Sequence, residues 1–203
     1  MKILASITEE LLDILLTTKA LKFGSFTLKD GSNSEYYLDL RVIPSYPSAF
    51  KKTIAMLTNA LYDLKIGAIA GIMSAGIPYA TGIALELELP LLQIRKKSKD
   101  YGLSKLIEGE WEKGWRIVVI DDVITTGSSK EPAIEALREL GLIPFRIQVL
   151  IDRTEKKSAP LVRGVPVHAL ARIQDLFSYG LEHDKFNQSI IPLVKQALER
   201  MES

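Results

Sequence analysis

The chain has 203 residues, 47% hydrophobic and 25% charged, and its 26 Lys+Arg against 25 Asp+Glu leave a formal net charge of +1. A chain of this size buries roughly 70% of its unfolded surface, so its core needs no staple. It has no cysteine, which excludes thiolate nucleophiles, Cys-based zinc sites and disulfides and fits a reducing, cytoplasmic setting, while the near-zero charge supplies no global field toward nucleic acid or membrane.

Read in chain order, "MKILASITEELLDILL" carries acids within an apolar pattern and lacks a small-residue cleavage site. It predicts an amphipathic helix and not a signal peptide. No apolar run approaches the ~20 residues that cross a bilayer. "FGSFTLKDGSNSEYYLDLRV", rich in Gly, Ser and aromatics, predicts a small β-hairpin over one end of a sheet. In "PSAFKKTIAMLTNALYDLK", Phe50, Ile54, Leu57, Leu61 and Leu64 recur at helical steps, with Pro47 at the start. "IGAIAGI", "GIPYATGIALELE" and "LPLLQIR" then read as strand, helix and strand. The segment from Arg95 to Lys105, "RKKSKDYGLSK", is a local basic loop with five cations and one acid. "WRIVVIDD" is a strand, followed by a helix near 129–140 that stops at Gly141. "IPFRIQVLIDR" and "VPVHALARI" are further strands, and "SIIPLVKQALERM" is the closing helix.

The class is α/β in one domain, 1–203: a parallel sheet with helices on both faces, which explains strands without polar alternation. Ligands of such sheets sit outside the carboxyl ends of the strands. That rule gathers "AGIMSAG", "IRKKSKDYG", "DDVITTGSS" and "LIDRTEKK" in one place.

Between the strand 116–120 and the helix from 129, "TTGSS" is the turn that opens the helix, where unpaired N–H groups face an anion. Gly127 permits a positive φ, and the hydroxyls of Thr125, Thr126, Ser128 and Ser129 add donors, so the loop is a cradle for a phosphate monoester. Ser128 and Glu131 also have capping-box spacing. The Gly-Lys-Ser/Thr of a triphosphatase loop is absent. Two carboxylates beside a phosphate would repel it, so Asp121 and Asp122 must face another part of the ligand, either hydroxyls or a metal ion. A sugar phosphate meets both needs. Read alone, the acid pair would serve equally as a capped strand end.

"VVIDDVITTGSS" resembles the 5-phosphoribosyl-1-pyrophosphate signature of type I phosphoribosyltransferases. With "LKFGSFTLKDGSNSEYYLDLR", "AGIPYATGIALEL", "IRKKSKDYGLSKLIEG" and "LIDRTE", nearly the whole chain is similar to the orotate branch of that family. The resemblance implies the type I phosphoribosyltransferase fold, with a small N-terminal hood at about 20–45 and a mobile catalytic loop at 95–114. It implies Mg²⁺-dependent transfer of 5-phosphoribosyl from phosphoribosyl pyrophosphate to orotate, giving orotidine 5′-monophosphate and pyrophosphate in UMP synthesis. The implied assembly is a cytoplasmic homodimer with shared active sites, and nucleic acid and membrane are not partners.

By the same resemblance Lys99 and Asp122 are catalytic. Arg95, Lys96, Lys99, Tyr101 and the run Asp121, Asp122, Val123, Ile124, Thr125, Thr126, Gly127, Ser128 and Ser129 contact the donor. Lys29, Tyr37, Leu38, Thr125 and Arg153 contact orotate, with the Arg153 guanidinium on its carboxylate. Mg²⁺ is held mainly through the donor, with no firm protein ligand. Two positions depart from the bacterial pattern: Ala75 stands where a lysine contacts the pyrophosphate side, and Tyr101 where many relatives have His. A tyrosine, with an unperturbed pKa of about 10, cannot shuttle protons near neutrality. His168 and His183 lack ligand spacing and are assigned no metal. The competing readings are a purine or uracil phosphoribosyltransferase, whose base has no carboxylate for Arg153, and a non-catalytic sensor of the donor.

Overall fold

Short apolar runs in the middle of the chain become buried, mostly parallel strands, as their lack of alternation predicts. The computed structural model describes residues 2–27, 31, 33–95, 106–154 and 160–202. They fall into two units, residues 1–53 with 171–203, and residues 54–170.

In the first unit, α1 (Lys2–Thr17) buries Leu11, Leu12, Ile14 and Leu15 and packs on α5 (Ile173–Glu182). The expected hairpin is β1 (Leu21–Thr27) antiparallel to β2 (Asn33–Leu38), with Phe23 opposite Tyr36 and a register shift between Phe23 and Phe26. A 3-10 helix (Leu40–Ser45) follows, opened by Asp39, whose side chain accepts from the Arg41 N–H. The helix α6 (Ile191–Glu202) packs on β2, and Arg200 pairs with Glu35 at 2.6 Å. An aromatic cluster holds this unit together. The fully buried Phe177 ring lies 5.1 Å from Tyr36, 5.6 Å from Phe23 and 6.4 Å from Phe186. Sequence reading misses α5, because its segment follows directly on a strand with no turn signal between them.

The second unit centres on a sheet. The helix α2 (Pro47–Asn59) enters it and ends before the expected Leu64, the chain continuing in turns that still bury Leu61. The sheet order is β5-β4-β3-β6-β8-β10-β9, with β7 beside β8. Its members are β3 (Ala68–Ile72), β4 (Leu91–Ile94), β5 (Ile107–Glu108), β6 (Arg116–Ile120), β7 (Val123–Ile124), β8 (Ile143–Asp152), β9 (Leu161–Val162) and β10 (Val165–Arg172). β3 runs parallel to β4 and β6, and β8 parallel to β6 and β7. The sheet is not purely parallel, because the short strands β5 and β9 pair antiparallel with β4 and β10. The helix α3 (Gly76–Glu86) packs on β3, and α4 (Glu131–Glu139) packs on β8, with Gly141 at φ 76° just beyond its end. Ile117, Val119, Ile134, Leu137, Ile147 and Val149 lie at the centre of the core.

Phe177→Ala would leave a cavity among three aromatic side chains. It should lower the unfolding free energy by about 3–5 kcal/mol, read by denaturant titration; a loss well under 1 kcal/mol would show that the cluster does not hold the first unit.

Candidate functional site

β6 delivers the chain into Asp121 and Asp122, after which β7 lies along the end of β8, with Val123 opposite Ile151 and Ile124 opposite Asp152. This pairing satisfies the backbone of a sharp turn. The Leu150 and Ile151 N–H groups donate to the Asp122 carbonyl at 3.0 and 3.2 Å, and the Arg153 N–H to the Ile124 carbonyl at 2.9 Å. Arg153 is thereby tied by its backbone to the loop it was expected to share. The chain then passes through Thr125, Thr126 and Gly127 into a 3-10 turn, Ser128–Lys130, which leads into α4. Gly127 is needed for two reasons: its φ of 82° is left-handed, and a Cβ there would stand 2.8 Å from Val162 Cγ2.

Thr125, Thr126, Ser128 and Ser129 are exposed, and the Thr126 and Ser128 hydroxyls share a hydrogen bond of 3.0 Å. The capping box is not formed. The 3-10 turn moves the N-cap of α4 to Lys130, no side chain caps either element, and Glu131 accepts instead from Arg163 Nε at 2.8 Å. With capping removed as their explanation, the clustered hydroxyls fit the anion-cradle reading.

The acid pair is divided by its surroundings. Asp121 is buried, its Oδ1 accepting from the Asp122 N–H at 3.0 Å and its Oδ2 lying 2.8 Å from Lys130 Nζ. Lys130 is 3% exposed and also donates to the Val123 carbonyl at 2.9 Å. Sequence reading leaves this lysine unmarked, yet a signal exists. Position 130 heads the stripe that α4 continues with the buried Ala133, Ile134 and Leu137, and a cation on such a stripe requires a buried partner. Asp122 is half-buried, and its Oδ1 accepts from the Val123 N–H at 2.8 Å. Burial, and then the neighbouring Asp121 carboxylate, push its pKa up to about 6.

The loop after β3 comes against the same turn. A Cβ on Gly76 would collide with the Ile120 carbonyl and lie 3.1 Å from Asp121 Cα, so only glycine lets the start of α3 approach this closely. The Met73–Ser74 peptide is cis, and Ala75 precedes α3 without a side-chain cap. At the end of β4, Arg95 Nη1 lies 2.6 Å from Glu108 Oε1 on β5. Tyr37 and Leu38 belong to β2 in the first unit, where the Tyr37 ring lies 5.6 Å from Phe26. Lys29, Lys96, Lys99 and Tyr101 fall outside the described residues. Among the described residues, no three His, Cys, Asp or Glu side chains gather as a metal cage.

The raised Asp122 pKa has a consequence for stability. Between its ordinary 3.8 and about 6, the folded chain binds a proton that the unfolded chain does not. The stabilising contribution is therefore full below pH 4 and lost as pH rises through 6, leaving the ionised carboxylate at a cost of about 3 kcal/mol at neutrality. Asp122→Asn should melt above the native chain at pH 7.5, with the gap closing by pH 4. Thermal melts across that range check this, and a gap independent of pH would contradict it.

Residues 47–167 match the phosphoribosyl transferase domain family. An orotate phosphoribosyltransferase of Staphylothermus marinus is 35% identical over 196 residues, spanning 96% of this chain and 96% of that protein. Among solved structures, Leishmania donovani UMP synthase is 31% identical with a TM-score of 0.79, over 97% of this chain but only 42% of the length of that one. The orotate phosphoribosyltransferase of Aeropyrum pernix is also 31% identical, with a TM-score of 0.75 over 83% of this chain and 96% of that one. A glycine-centred hydroxyl loop following an acid pair, on a sheet shared with these proteins, leads to one assignment: the chain belongs to the phosphoribosyl transferase family, in its orotate phosphoribosyltransferase branch.

Proposed function

We propose that the loop after β6 is the donor half of a site that transfers 5-phosphoribosyl from phosphoribosyl pyrophosphate to orotate, forming orotidine 5′-monophosphate and pyrophosphate for pyrimidine synthesis. One observation carries this reading: a partly buried acid pair and an exposed hydroxyl cluster around a left-handed glycine, all between Asp121 and Ser129. Carboxylates only accept hydrogen bonds, which suits ribose hydroxyls. Hydroxyls and N–H groups donate, which suits a 5′-phosphate.

As the C1′ bond to pyrophosphate lengthens, positive charge develops on the ribose and negative charge on the departing oxygens, so the reaction needs placed charge and little covalent help. Lys96, Lys99 and Arg95 serve the leaving group, with Lys99 the catalytic cation, while Asp122 faces the ribose where cationic character grows. Tyr101 positions the donor by hydrogen bonding. Mg²⁺ takes phosphate and hydroxyl oxygens and keeps much of its water. When bound, it would be held here through the donor and would supply positive charge to the leaving group. Arg153 takes the orotate carboxylate bidentately, and Lys29, Tyr37, Leu38 and Thr125 complete the base site. The working unit is a cytoplasmic homodimer whose 95–114 loop acts across the subunit boundary and excludes water on closing.

The deciding assay mixes the protein with Mg²⁺, phosphoribosyl pyrophosphate and each free base in turn, and follows pyrophosphate release. Orotate should be the base turned over; turnover of adenine or uracil without orotate would overturn the acceptor assignment. Sharing of the site has its own test. Lys99→Ala should lose kcat and Arg153→Ala orotate affinity, and mixing the two variants should restore activity through hybrid dimers. No recovery despite demonstrated subunit exchange would mean that each subunit works on its own.

A further inference from the structure

Resting on the donor-site reading above, we infer that Lys130 is a positioning residue, a strut that fixes the spacing between the acid pair and the hydroxyl loop so that both ends of one ribose 5-phosphate engage together. Three bonds carry this. The Lys130 main-chain N–H donates to the Gly127 carbonyl at 2.9 Å and closes the hydroxyl loop. Its side chain reaches back to Asp121 Oδ2 at 2.8 Å and to the Val123 carbonyl at 2.9 Å, one bond on each side of Asp122. A single residue thus joins the end of the loop to both flanks of the acid turn. The Thr126–Ser128 hydrogen bond, by contrast, lies within the loop and sets no distance to the acids.

Stability alone does not explain an ion pair here. The positions that follow on the same stripe are Ala133, Ile134 and Leu137, all buried. An apolar residue at 130 would continue that stripe, and replacing both partners of a buried ion pair with apolar packing is often neutral or stabilising, whereas removing Lys130 alone would strand Asp121. What the apolar residue would lack is a bond to both ends of the Asp121–Val123 turn.

The test compares binding of ribose 5-phosphate and inorganic phosphate to the native chain and to Lys130→Met, with KM for phosphoribosyl pyrophosphate measured alongside. Inorganic phosphate engages the hydroxyl loop alone, so its affinity should stay within about twofold, whereas ribose 5-phosphate should bind at least roughly tenfold more weakly, since a shift on the order of 1 Å defeats engagement at both ends. KM for phosphoribosyl pyrophosphate should rise in parallel. If Lys130→Met does not fold, the pair without charges, Asp121→Asn with Lys130→Met, is compared with Asp121→Asn alone, and the same split is expected. Unchanged ribose 5-phosphate affinity in the folded variant, or equal loss of both ligands, would overturn the strut. Failure of the native chain to bind ribose 5-phosphate would instead overturn the donor-site reading, and the strut with it.

Discussion

The proposed site depends on how two adjacent carboxylates are held beside a loop of exposed hydroxyls. Left alone, Asp121 and Asp122 would repel each other and the phosphate. Lys130 eases the first conflict from inside the protein, pairing with Asp121 at 2.8 Å while almost fully buried. Asp121 then spends its other oxygen on the Asp122 N–H, so the first acid is largely committed to the turn. Asp122, with its raised pKa, is the acid that can still change state. Its pKa is raised first by burial and then by the neighbouring Asp121 carboxylate.

The sheet makes this turn possible by bringing backbone segments unusually close. β3, β6 and β8 are neighbours in parallel, so the loops that leave β3 and β6 and the residues after β8 emerge from the same edge. Gly76 lets the start of α3 touch the end of β6, and β7 zips the acid turn onto the last residues of β8. Little is left for a ligand to organise at the acids. Such preorganisation matters for a reaction driven by placed charge, because dipoles already oriented need no rearrangement as the transition state forms.

Much of this was legible in the sequence, and the reasons are local. Apolar runs without alternation marked the central strands, and Gly141 and Pro47 marked helix ends that the structure keeps. The Asp121–Ser129 run suggested a sugar-phosphate cradle because small hydroxyl residues around a glycine after an acid pair can serve both ends of such a ligand. What escaped depends on tertiary placement. Lys130 looks like any surface lysine until the inward stripe of α4 is drawn. The capping box between Ser128 and Glu131 fails because a 3-10 turn intervenes, and Arg163, distant in sequence, takes the glutamate. α2 stops short of Leu64 although its apolar spacing continues, since Leu61 can be buried equally well from a turn. Periodicity reports which side chains face inward, and it is less informative about where the backbone stops being helical.

Two cation–carboxylate pairs in the second unit show how burial assigns different duties to similar contacts. Lys130 and Asp121 have side chains only 3% and 12% exposed, and separating them would strand charge in a poorly solvated place. Arg95 and Glu108 meet at 2.6 Å, but with side chains 27% and 46% exposed. A pair so open to water is worth about 0–1 kcal/mol, so in the proposed reaction a multiply charged leaving group would draw Arg95 from Glu108 at little cost. The buried pair is suited to hold geometry through turnover because it cannot readily exchange partners. The exposed pair can, which suits Arg95 to the role proposed for it at the leaving group.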